Sequence, residues 1–218
     1  MKKARSTSQQ SDNIRYIDRE DTYYPPALRR HLSDHAPKNI NTLGNLALLR
    51  QKPLAFLCSV KCPGNLILQT YDLAQNLRRS GVTIIGGFHS PMEQECLKVL
   101  LRGANPLIIC PARALENMRI GRDYTKPLER GRLLFLSPFI TKPRRPTLET
   151  VQYRNQFVAV LAEKVFVAYA EPRGKMEQLS REILSWGKLL YTFNEEANRN
   201  LIELGAKPVT SAQASQLV

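Results

Sequence analysis

From Pro53 onward the chain alternates short apolar runs with longer segments of helical spacing, and this alternation restricts the fold more than any other feature. The runs Leu54 to Cys58, Val82 to Ile85, Leu107 to Cys110, Leu133 to Leu136, Val165 to Ala170 and Leu189 to Thr192 have the length and continuity of buried strands. Helices are expected between or after them, at Asn65 to Arg79, Pro91 to Leu101, Leu148 to Leu161, Met176 to Leu184 and Asn198 to Leu204. Ser80-Gly81 ends the first, Pro91 suits the first turn of the second, and Gly205 caps the last. The pattern predicts an α/β fold: a mostly parallel sheet, right-handed crossovers and helices on both faces.

With 218 residues, 43% of them hydrophobic, one such domain can bury a sizeable core. Residues 1–20 read as a flexible basic tail, 21–52 as an N-terminal extension packing on the core, 53–210 as the alternating domain and 211–218 as a C-terminal tail. Within the extension, Tyr23-Tyr24-Pro25-Pro26 stops any helix, Leu28 to His31 suits a short one, and Pro37 to Asn41 reads as a loop. Leu43 to Leu49 is an apolar patch ahead of the domain. No apolar run approaches the roughly 18 residues of a membrane span, and Met1 to Gln10 lacks the apolar centre of a secretory signal. A cytosolic protein with no membrane partner is expected.

Net charge of +13 and a pI near 9.9 favour a polyanionic partner. The cations crowd between Arg113 and Arg145, where Arg113, Arg119, Arg122, Lys126, Arg130, Arg132, Lys142, Arg144 and Arg145 face only Glu116, Asp123 and Glu129. Such a run is either a solvated face or a set of phosphate contacts, and its arginine richness favours the second. Cys58, Cys62, Cys96 and Cys110 read as reduced structural thiols. Cys58 to Cys62 is a CxxxC with no second pair at metal-ligand spacing, so no metal site is expected.

Ligands of an open parallel sheet bind beyond the carboxyl ends of its strands. Those ends open here into Ser59 to Asn65, Gly86 to Pro91, Cys110 to Arg113, Ser137 to Phe139 with Arg144 and Arg145 behind, and Glu171 to Lys175. Each alone is an ordinary turn. Together they gather glycines, hydroxyls and cations on one edge, as an anion site requires. Neither GxGxxG nor GxxxxGK[ST] is present, which disfavours a nicotinamide enzyme or a P-loop NTPase, and no GxSxG or other catalytic constellation stands out. His89 falls on the ligand edge. Glu93 and Glu177, in first helical turns, are carboxylates near it that helix-dipole pairing explains equally well.

Five stretches resemble the DprA/Smf DNA-processing family, a branch of the Rossmann-like domains shared with the cytokinin-activating LOG proteins. They are Tyr24-Pro25 with Leu28, Gly44-Asn45 and Leu48-Leu49; Ala55 to Ser59; Ile84 to Phe88; Arg154-Asn155 with Val158-Ala159 and Leu161-Ala162; and Asn198 with Leu201-Ile202 and Gly205-Ala206. The likeness spans roughly residues 22 to 209. The sequence departs from the family pattern at Cys58, where a glycine is usual, at Val60-Lys61 in place of its arginine, at Pro91-Met92-Glu93, and at Arg173-Gly174-Lys175. No winged-helix tail follows, so a divergent, core-only member is expected.

The resemblance implies a Rossmann-like fold, single-strand binding, loading of a recombinase and homodimerisation. By position it places Lys61, Gly86, Gly87, Arg154, Asn155 and Lys175 in or under a phosphate pocket, with Arg154 and Asn155 either ligands or buried supports. Joined to the edge residues Ser59, His89, Ser90, Arg113, Arg144, Arg145, Arg173 and Gly174, they form the expected phosphate and nucleic-acid site, with Phe88, Phe139 and Tyr124 as stacking candidates. No cofactor is expected, and the sequence leaves enzymatic activity open. The alternatives are a LOG-like nucleotide sensor or hydrolase using Glu93 or Glu177, and an interaction subunit with a vestigial pocket.

Overall fold

The computed structural model describes residues 14–140, 145–212 and 217. Among these residues nine strands form one sheet: β1 (Arg15–Asp18), β2 (Asn39–Gly44), β3 (Leu54–Leu57), β4 (Ile84–Gly86), β5 (Leu107–Ile109), β6 (Leu133–Ser137), β7 (Lys164–Val167), β8 (Leu189–Phe193) and β9 (Lys207–Val209). The described residues also form seven α-helices: α1 (Pro26–Leu32), α2 (Gly64–Leu77), α3 (Pro91–Leu101), α4 (Thr125–Glu129), α5 (Leu148–Leu161), α6 (Lys175–Ser185) and α7 (Arg199–Leu204). The strand order is β1-β2-β6-β5-β4-β3-β7-β8-β9. From β6 to β9 every pairing is parallel, while β2 runs antiparallel to both β6 and β1. This is the expected Rossmann-like α/β architecture.

Alternation along the strands separates two cores. Ala55, Leu57, Leu134, Leu136, Val165 and Val167 face one side, where Leu28 of α1, Phe157 of α5, Ile183 of α6 and Leu201 of α7 meet them. Leu54, Phe56, Leu133, Phe135 and Phe166 face the other, against Leu73 of α2 and Leu100 of α3. Phe56, Phe166 and Phe193 pack in a row across β3, β7 and β8, tilted and then edge-to-face, with centroids 5.6 and 5.0 Å apart. Burial on both faces is why these strands read as continuous apolar runs.

Helix starts follow local chemistry. Ser90 caps α3 through a reciprocal capping box with Glu93, and Thr147 caps α5 in the same way with Thr150. Gly44 has φ +116° and lies so close to Leu133 that a Cβ would meet its carbonyl oxygen at 2.3 Å. Asn45 then accepts the Ala47 N–H and donates to the Gly131 carbonyl, which turns the chain from β2 into a short 3₁₀ helix, Leu46–Arg50.

Three strands differ from the sequence reading, which also expected no helix at α4. Arg15–Asp18, within the supposed flexible tail, is strand β1; residues 1–13 of that tail lie outside the described residues. Asn39–Gly44, read as loop and apolar patch, is β2. Lys207–Val209 adds β9 at the far edge. Ile17 alone is buried in β1, and Pro208 sits in β9, so neither carries a strand signature; pairing with a neighbour makes them strands. In the segment read as a C-terminal tail, Leu217 is buried against the second core. Among the described residues no helix is long and apolar enough to cross a membrane.

Candidate functional site

The chain winds outward from β3 through β4, β5 and β6, then returns over α5 to β7 on the other side of β3. Loops leaving β3 and β7 therefore diverge toward opposite faces, and a crevice opens at their carboxyl ends. A cleft of about 1040 Å³ lies there. Its walls include Cys58, Ser59 and Val60 after β3, His89 and Ser90 after β4, the first turns of α5, and Gly174 to Met176 opening α6.

Buried side chains fix these loops to one another. Glu93 accepts N–H bonds from Cys58 at 3.0 Å, His89 at 2.8 Å and Ser90 at 3.0 Å, which ties the β3 and β4 loops together. Ser59 donates its N–H to the Tyr169 carbonyl and accepts the Glu171 N–H on Oγ, which ties β3 to β7. Asn198 donates to the Ala168 carbonyl and Asn200 to that of Ala170, holding the β7 loop from α7. Arg154 is 1% exposed and donates from Nη1 to the Cys110 carbonyl at 3.0 Å. Its guanidinium fills the space a side chain at Gly87 would need. Burial pulls its pKa down while Glu93 opposes that shift. Arg154 is thus a strut beneath the β4 and β5 loops.

Glu177 plays the matching part on α6. It accepts from the Asn200 amide at 2.7 Å, from Arg181 at 2.8 Å and from the Arg173 N–H at 3.0 Å. These bonds, Asn200 first, hold its pKa at about 2, well below the ordinary glutamate range. They also stabilise Arg173 in a left-handed turn at φ +60°. A carboxylate whose folded pKa is depressed adds stability that is complete above the ordinary value and vanishes as pH falls through the depressed one. We expect Glu177→Gln to cost about 2 kcal/mol at pH 6, after discounting for the exposed Arg181 partner, and much less at pH 3. Urea unfolding at both pH values checks this; an equal cost at each would remove the clamp.

The cleft brings together Ser59, His89, Ser90, Arg154, Asn155, Gly174 and Lys175 among the expected site residues. Ser90 spends its hydroxyl on the α3 cap. Lys61, Arg145 and Arg173 are exposed outside the lining, and Arg113 is half-buried, its carbonyl held by Ser137 at 2.7 Å. Gly86 is buried, its carbonyl taken by the Cys110 N–H, and Gly87 backs onto Arg154. Arg144, like Lys142, lies outside the described residues.

The arginine-rich stretch is not one patch. The chain must cross the sheet between the end of β5 and the start of β6, so Arg113 stays at the carboxyl edge while Arg130 and Arg132 reach the opposite one. Arg132 there donates to the carbonyls of Leu101 and Asn105, capping the end of α3. Among the stacking candidates, Phe88 is buried and Tyr124 packs edge-on against Phe135. Phe139 does line the cleft, edge-to-face with Tyr153 at 5.8 Å.

Sequence reading missed the apolar lining. Val60 is 68% exposed and Leu148 71% exposed, and both face the cleft with Tyr153 and Met176. An apolar residue in the loop after β3 and another opening α5 after a polar run were the available signal. The Tyr153 hydroxyl donates to the His35 carbonyl, and burial pushes its pKa up to about 12. Glu149, Glu171 and Glu182 also contribute to the walls. Among these carboxylates the start of α6 carries Lys175 and has no side-chain cap, so a cation and free helix N–H groups stand together there.

A family model described as DNA recombination-mediator protein A matches residues 15–216. No curated protein sequence matches the chain at a significant level. Among solved structures, DNA processing protein A of Streptococcus pneumoniae superposes with a TM-score of 0.76 at 21% identity, over 96% of this chain and 75% of that one. DNA processing protein A of Helicobacter pylori, solved to explain its single-stranded DNA binding mode, gives 0.72 at 19% identity over 93% and 95%. The molybdenum cofactor carrier protein of Chlamydomonas reinhardtii gives 0.52 at 13% identity over 77% and 98%. At such identities these likenesses establish the fold.

Proposed function

Because the chain belongs to the DNA recombination-mediator protein A family, we propose that it binds single-stranded DNA in the crevice between the ends of β3 and β7. The observation that carries this reading is the composition of the cleft. The uncapped N-terminus of α6 with Lys175 offers an anion seat, and exposed Val60, Leu148 and Phe139 offer apolar surface beside it. A single strand presents both partners at once, phosphates and unpaired base faces, whereas a duplex hides its base faces. Lys61, Arg145 and Arg173 follow or precede elements at the same edge and extend the phosphate track.

The nucleotide-hydrolase alternative loses its acid and base. Glu93 spends its oxygens on the amides of Cys58, His89 and Ser90, and Glu177 on the Arg173 N–H and the side chains of Asn200 and Arg181, so neither is aimed at a sugar in the cleft. On our reading the protein works in the cytoplasm as a homodimer and passes its strand to a recombinase; family membership supports these parts.

A fluorescein-labelled thymidine oligonucleotide tests the reading by anisotropy. It should bind at low salt, lose affinity steeply between about 50 and 200 mM salt, and be displaced poorly by duplex of equal length. Absence of strand binding at low salt would reject the function.

A further inference from the structure

The cleft is an unusual place for a polyanion to run through. Its lining sets two cations, Lys175 and Arg154, against the carboxylates of Glu149, Glu171 and Glu182. A strand threaded along its whole length would carry successive phosphates past those carboxylates, and like charges at close range repel. Space sets a second limit. A volume of about 1040 Å³ is near the upper end of a site for a drug-sized ligand, so it takes about one or two nucleotides rather than a run of them.

Both cations come with donors left over. Helix α6 is 11 residues long and has no side-chain cap. Its first helical bond runs from the Gln178 N–H to the Gly174 carbonyl, so the N–H groups of Lys175, Met176 and Glu177 lie ahead of the ladder. At Gly174 a Cβ would meet the Glu171 carbonyl oxygen at 2.8 Å, which keeps the approach to that turn bare. Arg154 is the second, independent sign of a ligand. It is 1% exposed and spends Nη1 on the Cys110 carbonyl, yet its buried Nε–H has no partner among the described residues. A buried donor left unmade is costly, and this one belongs to the wall of a cleft that an acceptor can enter.

We propose that the cleft seats the end of a strand, with a terminal phosphomonoester on the start of α6 and the chain leaving over the rim past Lys61 and Arg145. The proposal rests on the single-strand reading and adds which part of the strand lies inside. An internal phosphodiester carries one charge and gives two of its oxygens to neighbouring sugars. A terminal phosphomonoester carries about 1.5 to 2 negative charges near neutral pH and has three free oxygens. That is the ligand for two cations and a row of unspent N–H groups. The base of the terminal nucleotide meets Val60, Leu148 and Phe139. The carboxylates then act by exclusion: they tolerate one strongly held end and repel a backbone that continues through the cleft.

The 5′ and 3′ ends can both carry this group, and competition separates them. The full chain is bound to a thymidine oligonucleotide labelled with fluorescein at an internal base. Unlabelled strands of the same length then displace it: one with a 5′-phosphate, one with a 3′-phosphate, one with hydroxyls at both ends, and a closed circle. One of the two phosphorylated strands should compete about tenfold better than the hydroxyl-ended strand, the scale of one added charge-assisted contact, and the circle should compete no better than the hydroxyl-ended strand. Lys175→Gln should shrink that preference. Glu149→Gln combined with Glu171→Gln, both at exposed positions, should raise affinity for the circle about threefold and narrow the gap from the other side. Equal competition by all four strands overturns the inference and leaves the single-strand reading standing. So does an equal gain from a phosphate at either end, which would mean that total charge is sensed. No binding of any strand overturns both.

Discussion

Gly87→Ala should destabilise the fold by about 3–5 kcal/mol, a large part of the margin a domain of this kind has. The backbone at Gly87 does not require a glycine conformation, since its φ is not in the left-handed region. The constraint is space. A Cβ there would lie 1.3 Å from Nη1 of Arg154 and 1.7 Å from its Cζ, so the guanidinium must leave. It is buried, and leaving abandons the bond to the Cys110 carbonyl. A buried guanidinium pushed from its seat loses that bond and its packing, which costs more than the methyl adds. Urea unfolding of four proteins isolates the contact: wild type, Gly87→Ala, Arg154→Ala and the double variant. Removing Arg154 vacates the space, so the alanine at position 87 should then cost little and the two effects should be strongly non-additive. Additive effects would show that Gly87 and Arg154 do not oppose each other.

That pair also marks where the sequence stops being informative. Helices announced by local chemistry could be read to their ends: α3 between Pro91 and Arg102-Gly103, and α5 over Leu148–Leu161. The parallel strands were legible because burial on two faces leaves an unbroken apolar run. The edge strands β1 and β9, and the antiparallel β2 beside β1, were not, because their partners rather than their own side chains hold them. In the site, topology did the predictive work. The loops after β3, β4 and β7 do meet at one crevice, as the strand-end rule requires. Charge clustering along the sequence failed for Arg130 and Arg132, because a crossover carries neighbours in sequence to opposite edges of the sheet. The roles of Glu93, Arg154 and Glu177 as loop clamps depend on contacts between distant segments that no local pattern encodes.

Replacing Lys61, Arg145 and Lys175 together by alanine should weaken single-strand binding by about a hundredfold near 0.1 M salt, as expected for three charge-assisted phosphate contacts of about 1 kcal/mol each. All three side chains are exposed, so stability should change by less than about 0.5 kcal/mol each. The chain carries +13, and any polyanion would feel that charge whatever the site. A second triple variant separates the two effects. Arg79, Arg130 and Lys207 are also exposed, but the first two precede β4 and β6 and the third opens β9, at the opposite edge of the sheet. Their replacement removes the same net charge. A local site predicts that the first triple lowers the slope of log affinity against log salt by about two, since each strand phosphate contributes about 0.7. The second should leave the slope nearly intact and cost less than about threefold in affinity, through long-range attraction alone. Equal losses in the two variants would mean that strands bind to total charge, and that the crevice between β3 and β7 is not where they lie.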